Sequence, residues 1–312
     1  MQRISPESPE ERAAHPLWRR SLRRLRPTRR VMEVVKRVAI GVYSDGFIHA
    51  GNLAYLALVS LFPFFIVLAA LAQAFDRGPD TAAAIASFLR TLPPTVANLL
   101  RQPIADVLAN RTGALLWLGA LVGFWTVGSF IETIRDILRR AYGTQFSRAF
   151  WHYRLGSVAI IFVSVVAVLT AFSAQVVLTG AEQFIYRLLP FTTRIGAVIN
   201  VLRLPTLLLL TGSIYLVFLT LTPAKYRYAG CPKWPGALFT SVWWMAITMA
   251  LPAALSLLGG YDRTYGSLAG VVIALFFFWL VGFGLVIGAH LNAALAETPE
   301  ARLRGSAPEA RE

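Results

Sequence analysis

A single cysteine, Cys231, in 312 residues leaves no partner for an internal disulfide and excludes a cysteine-rich metal centre. Histidine is scarce too. His15, His49, His152 and His290 stand far apart in the chain, with no His-x-His pair and no acidic cluster beside them. Metal-dependent hydrolysis of RNA needs such ligands at short spacing, so composition speaks against a ribonuclease. No Gly-x-Ser-x-Gly elbow and no ATP-binding motif occurs, which removes the usual serine hydrolase and an ATP-driven pump. No catalytic residue, metal site or cofactor is therefore assigned. Charge is sparse at 15% of residues, and only 16 acidic side chains stand against 30 basic ones. A cleavable signal is not expected either, because the first apolar run follows about 47 mostly polar residues, far more than a signal peptide's charged n-region.

What is abundant is apolar sequence. Hydrophobic residues make up 56% of the chain and its mean hydropathy is +0.58, values of a polytopic membrane protein rather than a soluble domain. The clearest run is Ser267 to Ala289, 23 residues without a charge. At about 1.5 Å per residue that length crosses a hydrocarbon core of roughly 30 Å. The same reading gives six spans at about 50–74, 112–131, 155–180, 204–221, 235–258 and 267–291, an all-α bundle over residues 49–296. Residues 1–14 are rich in Pro, Ser, Glu and Arg and read as disordered, as does the polar tail 297–312. Between them and the bundle, residues 16–43 carry Arg19, Arg20, Arg23, Arg24, Arg29 and Arg30 beside an apolar stripe, the pattern of amphipathic helices on an anionic membrane surface. A second such helix is expected after Pro27, leading into the bilayer. Two short helices, Thr81 to Leu89 and Thr95 to Leu108, are expected on the periplasmic face between the first two spans.

Topology follows from the basic residues. Of the 30 Lys and Arg, 22 lie in the N-terminal segment, the loops after the second and fourth spans and the C-terminal tail. Both termini are then cytoplasmic by the positive-inside rule, in a multi-pass protein of a bacterial cytoplasmic membrane. The net charge of +14 records insertion and contact with anionic head groups rather than nucleic acid, for which no reader motif is present. A homo-oligomer is compatible with this sequence.

Polar residues inside or at the ends of spans are the candidate functional positions, since they are costly in lipid and often functional. In the first span these are Asn52, Tyr55 and Pro63; in the second, Ser129 and Glu132; in the third, Gln175. Tyr265 and Ser267 open the last span, and His290 and Asn292 close it. Pro63 frees a carbonyl four residues earlier, which serves equally as a packing kink or a gating element. Glu132 with Arg135, or Asp136 with Arg140, can pair along one helical face at a solvated helix end. Glycines four apart, Gly119 with Gly123, Gly266 with Gly270 and Gly284 with Gly288, let helices approach closely. These features suit either a path for lipid or another amphiphile, or a scaffold whose glycines only pack helices.

Three stretches carry a family resemblance: NLAYLALVSLFPFF from Asn52, YRYAGCPKWPGAL from Tyr226, and YGSLAGVV with GAHLNAAL in the last span. Together with the order and spacing of the spans over residues 30–296 they resemble the YihY/BrkB family of bacterial inner-membrane proteins. The resemblance implies a six-helix membrane protein without an established enzymatic activity, with links among its members to virulence, serum resistance and lipid or lipopolysaccharide movement. It also explains a ribonuclease BN label now regarded as mistaken. The chain departs from the pattern twice. His290 stands where the closing motif usually has glutamate, and the first span reads GNLAYLAL, with Asn52 and with Leu56 in place of a second tyrosine. A mechanism resting on a carboxylate at the end of the last span is in doubt here, although an imidazole could serve.

Overall fold

The structure is a computed structural model that describes residues 5–14, 27–74, 114–144, 196–227, 231–257 and 268–297, with a few single positions at 89–105 and 155–156. Among the described residues all regular structure is helical. The helices are α1 (Pro9–Ala14), α2 (Pro27–Ala74), α3 (Ala114–Tyr142), α4 (Gly196–Leu221), α5 (Ala224–Arg227), α6 (Trp234–Leu257) and α7 (Ala269–Leu295). Two of them, over Trp234–Ser256 and Ala269–Leu295, are long and apolar enough to cross a membrane, and Gly46–Ser60 and Leu207–Leu221 are shorter apolar stretches. Most of the third expected span and of the expected periplasmic helices lies outside the described residues.

α7 is the hub, packing on α2 and α6, while α2 also packs on α3 and α4 lies against α6. Its centrality follows from its composition. Without a charged side chain it can be covered on several faces, and Ala274, Phe277, Val286 and Ala289 are fully buried. An aromatic ladder ties it to α2, with the Phe47 ring 5.1 Å from Phe283 and 6.1 Å from Trp279.

The α2–α7 contact corrects the sequence reading of the first span. An amphipathic helix was expected after Pro27, leading into a span beginning at residue 50; Pro27–Ala74 is one continuous helix of 48 residues. Its register against α7 is antiparallel: Gly41 faces His290, Gly46 faces Val286, and Ala50 and Leu53 face Gly282. The stretch alongside α7 therefore begins near residue 37, inside the segment read as amphipathic. Those residues are held as helix by long-range burial of Gly41, Val42 and Gly46 rather than by an unbroken apolar pattern. A second difference concerns α4, expected over about 204–221 but beginning at Gly196, with Pro205 inside it. An internal proline is tolerated in apolar helices where neighbours satisfy the freed backbone groups.

The N terminus is the third correction. Residues 5–14, which read as disordered, form a hook seated on the helix ends. Arg12 donates to the carbonyls of Ala293 (3.0 Å), Ala296 (3.2 Å) and Ala294 (3.4 Å), and Arg37 reaches the Ala294 carbonyl as well. Two guanidinium groups thus meet the electronegative C-terminus of α7, where the last carbonyls lack intrahelical donors. Burial pulls Arg12 down to about 10, which leaves it charged at neutral pH. Burial likewise pushes the Glu7 carboxyl up.

At the end of α3, Gly143 has φ of +76°, the left-handed conformation that lets the chain leave a helix. A Cβ there would lie 2.8 Å from that of Ser8. Gly143→Ala is expected to cost about 1–2 kcal/mol from the backbone conformation alone and to lift the hook. Faster amide exchange at residues 5–14 checks this, and unchanged exchange would contradict it.

Candidate functional site

Among the described side chains, four of the expected path residues fall into two groups, His290 with Asn292 and Asn52 with Tyr55. His290 and Asn292 are buried in helix contacts. The His290 ring occupies the space above Gly41, so any side chain at residue 41 would collide with the imidazole. Asn292 is 1% exposed and links α7 to the start of α6. Its Oδ1 accepts from the Gly236 N–H at 2.8 Å, and its Nδ2 donates to the Lys233 carbonyl at 3.1 Å. Gly236 is the third residue of α6 and its N–H is one of the donors a helix start leaves unpaired. Asn292 therefore acts as a cap supplied from another helix.

Glycine makes that contact possible. A Cβ on Gly288 would sit 2.7 Å from the Gly236 carbonyl oxygen and would strike the Thr240 hydroxyl, and a Cβ on Gly284 would enter the Trp243 ring. Polar bonds stitch the approach. The Thr240 hydroxyl lies 2.8 Å from the Gly236 carbonyl and 3.3 Å from that of Gly284, and Trp243 Nε1 donates to Leu280 at 2.8 Å. Sequence reasoning had noted the α7 glycines but missed their partners. Gly236 and Thr240, four apart in α6, were the signal that could have found them.

Asn52 and Tyr55 form the other group. Both are exposed, Tyr55 by 60%, on a face of α2 that also shows Ile48 and Val59. Their depth follows from the register. Asn52 lies between Ala50 and Leu53, which back Gly282, the central residue of Ala269–Leu295, so about 20 Å of α7 extends on either side of it. In α3, Ser129 is half-buried and bonds the Trp125 carbonyl of its own helix at 3.0 Å. Glu132 pairs with Arg135, and Asp136 with Arg140 at 2.8 Å.

The remaining candidates are less defined. Pro63 lies within α2, and Gly119 and Gly123 within α3, but their surroundings fall outside the described side chains. Gly270 is half-buried on α7, and Arg29 and Arg30 are exposed at the start of α2. Gln175, Tyr265, Ser267, Gly266, Arg19, Arg20, Arg23 and Arg24 lie outside the described residues. Among the described residues no three His, Cys, Asp or Glu side chains are grouped to hold a metal ion.

The helix ends near the hook form a polar base that sequence reasoning did not resolve. Tyr142 and Tyr226 pack with their rings tilted and centroids 4.9 Å apart, both fully buried, and burial pushes the Tyr142 phenol up. Lys233 donates to the carbonyls of Tyr226 (2.6 Å) and Arg227 (3.1 Å) at the end of α5, while burial pulls its own pKa down. The Glu10 carboxylate of the hook accepts from the Tyr226 hydroxyl at 2.6 Å and meets Lys225 Nζ at 2.8 Å.

A family profile described as "Virulence factor BrkB" matches residues 44–312, from the middle of α2 through the helices just described. The chain belongs to the BrkB family. Relatives agree over most of their length. The ribonuclease-like protein YfkH of Bacillus subtilis (strain 168) is 26% identical over 255 residues, covering 80% of this chain and 90% of YfkH. UPF0761 membrane proteins of Pseudoalteromonas translucida (strain TAC 125) and Aeromonas salmonicida (strain A449) are each 25% identical, covering 82% and 80% of this chain and 85% and 83% of their own. No solved structure matches. This BrkB chain is thus a membrane protein of a family described by virulence rather than by a reaction, and the ribonuclease wording belongs to one relative's name.

Proposed function

We propose that this protein moves lipid or another amphiphile across the bacterial cytoplasmic membrane, along the outer face of α2. One observation carries the reading: Asn52 is exposed at the level of α7's central residue. An amide left unpaired in hydrocarbon costs several kcal/mol, and a face that only contacted acyl chains would favour leucine there. Tyr55 on the same face adds a hydroxyl. A polar step at mid-depth lowers the barrier for a head group crossing beside the protein while its tails stay in lipid. The multi-pass topology with cytoplasmic termini belongs to the same proposal.

The interior glycine face is not part of this path, because Gly236, Gly284, Gly288 and Asn292 are occupied in packing α6 on α7. That observation favours a second reading, a membrane scaffold in which the helices never part. Asn52→Leu separates the two. With the protein in liposomes carrying a fluorescent lipid, the substitution is expected to slow translocation roughly tenfold, the effect of adding about 1.4 kcal/mol to the barrier, with no loss of folded protein. A wild-type rate in Asn52→Leu would remove Asn52 from the path.

A further inference from the structure

The hook is acidic and lies on a basic base. Ser5–Ala14 carries Glu7, Glu10 and Glu11 against Arg12 alone, and it has no large apolar side chain to anchor it. Its attachments are hydrogen bonds and ion pairs: Arg12 to the end of α7, the Ser5 N–H to the Arg140 carbonyl at 3.3 Å, and Glu10 to α5. The Glu10 contact has the form of an anion bound in a receptor. One carboxylate oxygen takes the Tyr226 hydroxyl at 2.6 Å and lies 2.8 Å from Lys225 Nζ, and the other oxygen accepts from the same ammonium at 3.1 Å.

The position of this receptor matters as much as its chemistry. α5 stands between the end of apolar α4 at Leu221 and the start of α6 at Trp234. Trp234 is exposed, and an exposed tryptophan at the end of an apolar helix marks the membrane interface. Lys225 and Tyr226 therefore sit at head-group depth. Phosphate oxygens, like carboxylate oxygens, take charge-assisted hydrogen bonds from a lysine and a phenol side by side.

We propose that Lys225 and Tyr226 form a binding site for a phosphate anion, and that Glu10 is a built-in competitor which covers it until a phosphate displaces the hook. The ligand is the phosphate of an anionic lipid head group or free phosphate. The lipid alternative rests on the amphiphile reading above; binding itself does not depend on translocation. Displacing Glu10 passes the Tyr226 hydroxyl and the Lys225 ammonium from the hook to the phosphate.

Amide exchange of residues 5–14 tests this in the full chain, in nanodiscs of phosphatidylcholine with or without phosphatidylglycerol. Phosphatidylglycerol is expected to speed exchange of the hook several-fold, and Glu10→Gln to do so in phosphatidylcholine alone while raising the amount of co-purified phosphatidylglycerol. Lys225→Met together with Tyr226→Phe should abolish that retention; the single Lys225→Met variant covers the case in which the pair fails to fold. Inorganic phosphate added to phosphatidylcholine nanodiscs identifies the source: release there assigns free phosphate, and release by phosphatidylglycerol alone assigns the head group. Equal release by sodium chloride at matched ionic strength, or no release by either phosphate source, would overturn the proposal. Loss of translocation with hook release intact would count against the transport reading alone.

Discussion

Gly288→Ala is expected to lower the thermal midpoint of the purified protein by roughly 8 °C, from an overpacking cost of about 3 kcal/mol. The added methyl would meet the Gly236 carbonyl oxygen at 2.7 Å and the Thr240 hydroxyl besides. Thr240 could rotate, but a backbone carbonyl inside α6 cannot, so the helices must move apart. That shift also stretches the Asn292 bond to Gly236 and the Trp243 bond to Leu280. Gly51→Ala is the control. No atom lies within 4 Å of a Cβ there, and alanine is the better helix former by about 1 kcal/mol, so its midpoint should hold or rise. A Gly288→Ala midpoint equal to that of Gly51→Ala would contradict the close α6–α7 contact.

Asn292→Leu should be nearly as severe, at about 2 kcal/mol, because the replacement matches in size and leaves a buried donor without a partner. The two ends of the amide differ. The Lys233 carbonyl keeps the Ala237 N–H as a donor at 3.2 Å, whereas the Gly236 N–H, too early in α6 for an intrahelical acceptor, loses its acceptor. The damage should therefore appear at the start of α6. Amide exchange should accelerate at residues 236–240 and hardly change in α2, and a midpoint indistinguishable from wild type would remove the capping role. Asn292 had been read from the sequence as a path residue. Its partner lies 56 positions away and leaves no trace in local spacing.

The same contrast between local pattern and distant partner explains what else was legible. α7 and α6 were plain because an uncharged run of that length has few alternatives, and the ion pairs of α3 followed from spacing along one helix. The continuity of α2 was hidden, since Tyr43, Ser44, Asp45 and His49 interrupt the apolar pattern. The antiparallel packing on α7 that holds them helical is a long-range property. Ser5–Ala14 was hidden for a related reason: its composition has no large apolar side chain to bury, and its order comes from Lys225, Tyr226 and the end of α7, more than 200 residues on. Asn52 was singled out from sequence as a polar residue among apolar ones, but only the register against Gly282 gives its depth and its exposed side.

That exposed amide makes transbilayer movement the central claim. Its most direct measurement is the rate at which a fluorescent phospholipid changes leaflets in liposomes containing the wild-type protein, compared with protein-free liposomes of the same composition. The rate is expected to rise in proportion to protein content, whereas a rate equal to that of empty liposomes at high protein content would contradict transport and leave the helix-packing scaffold.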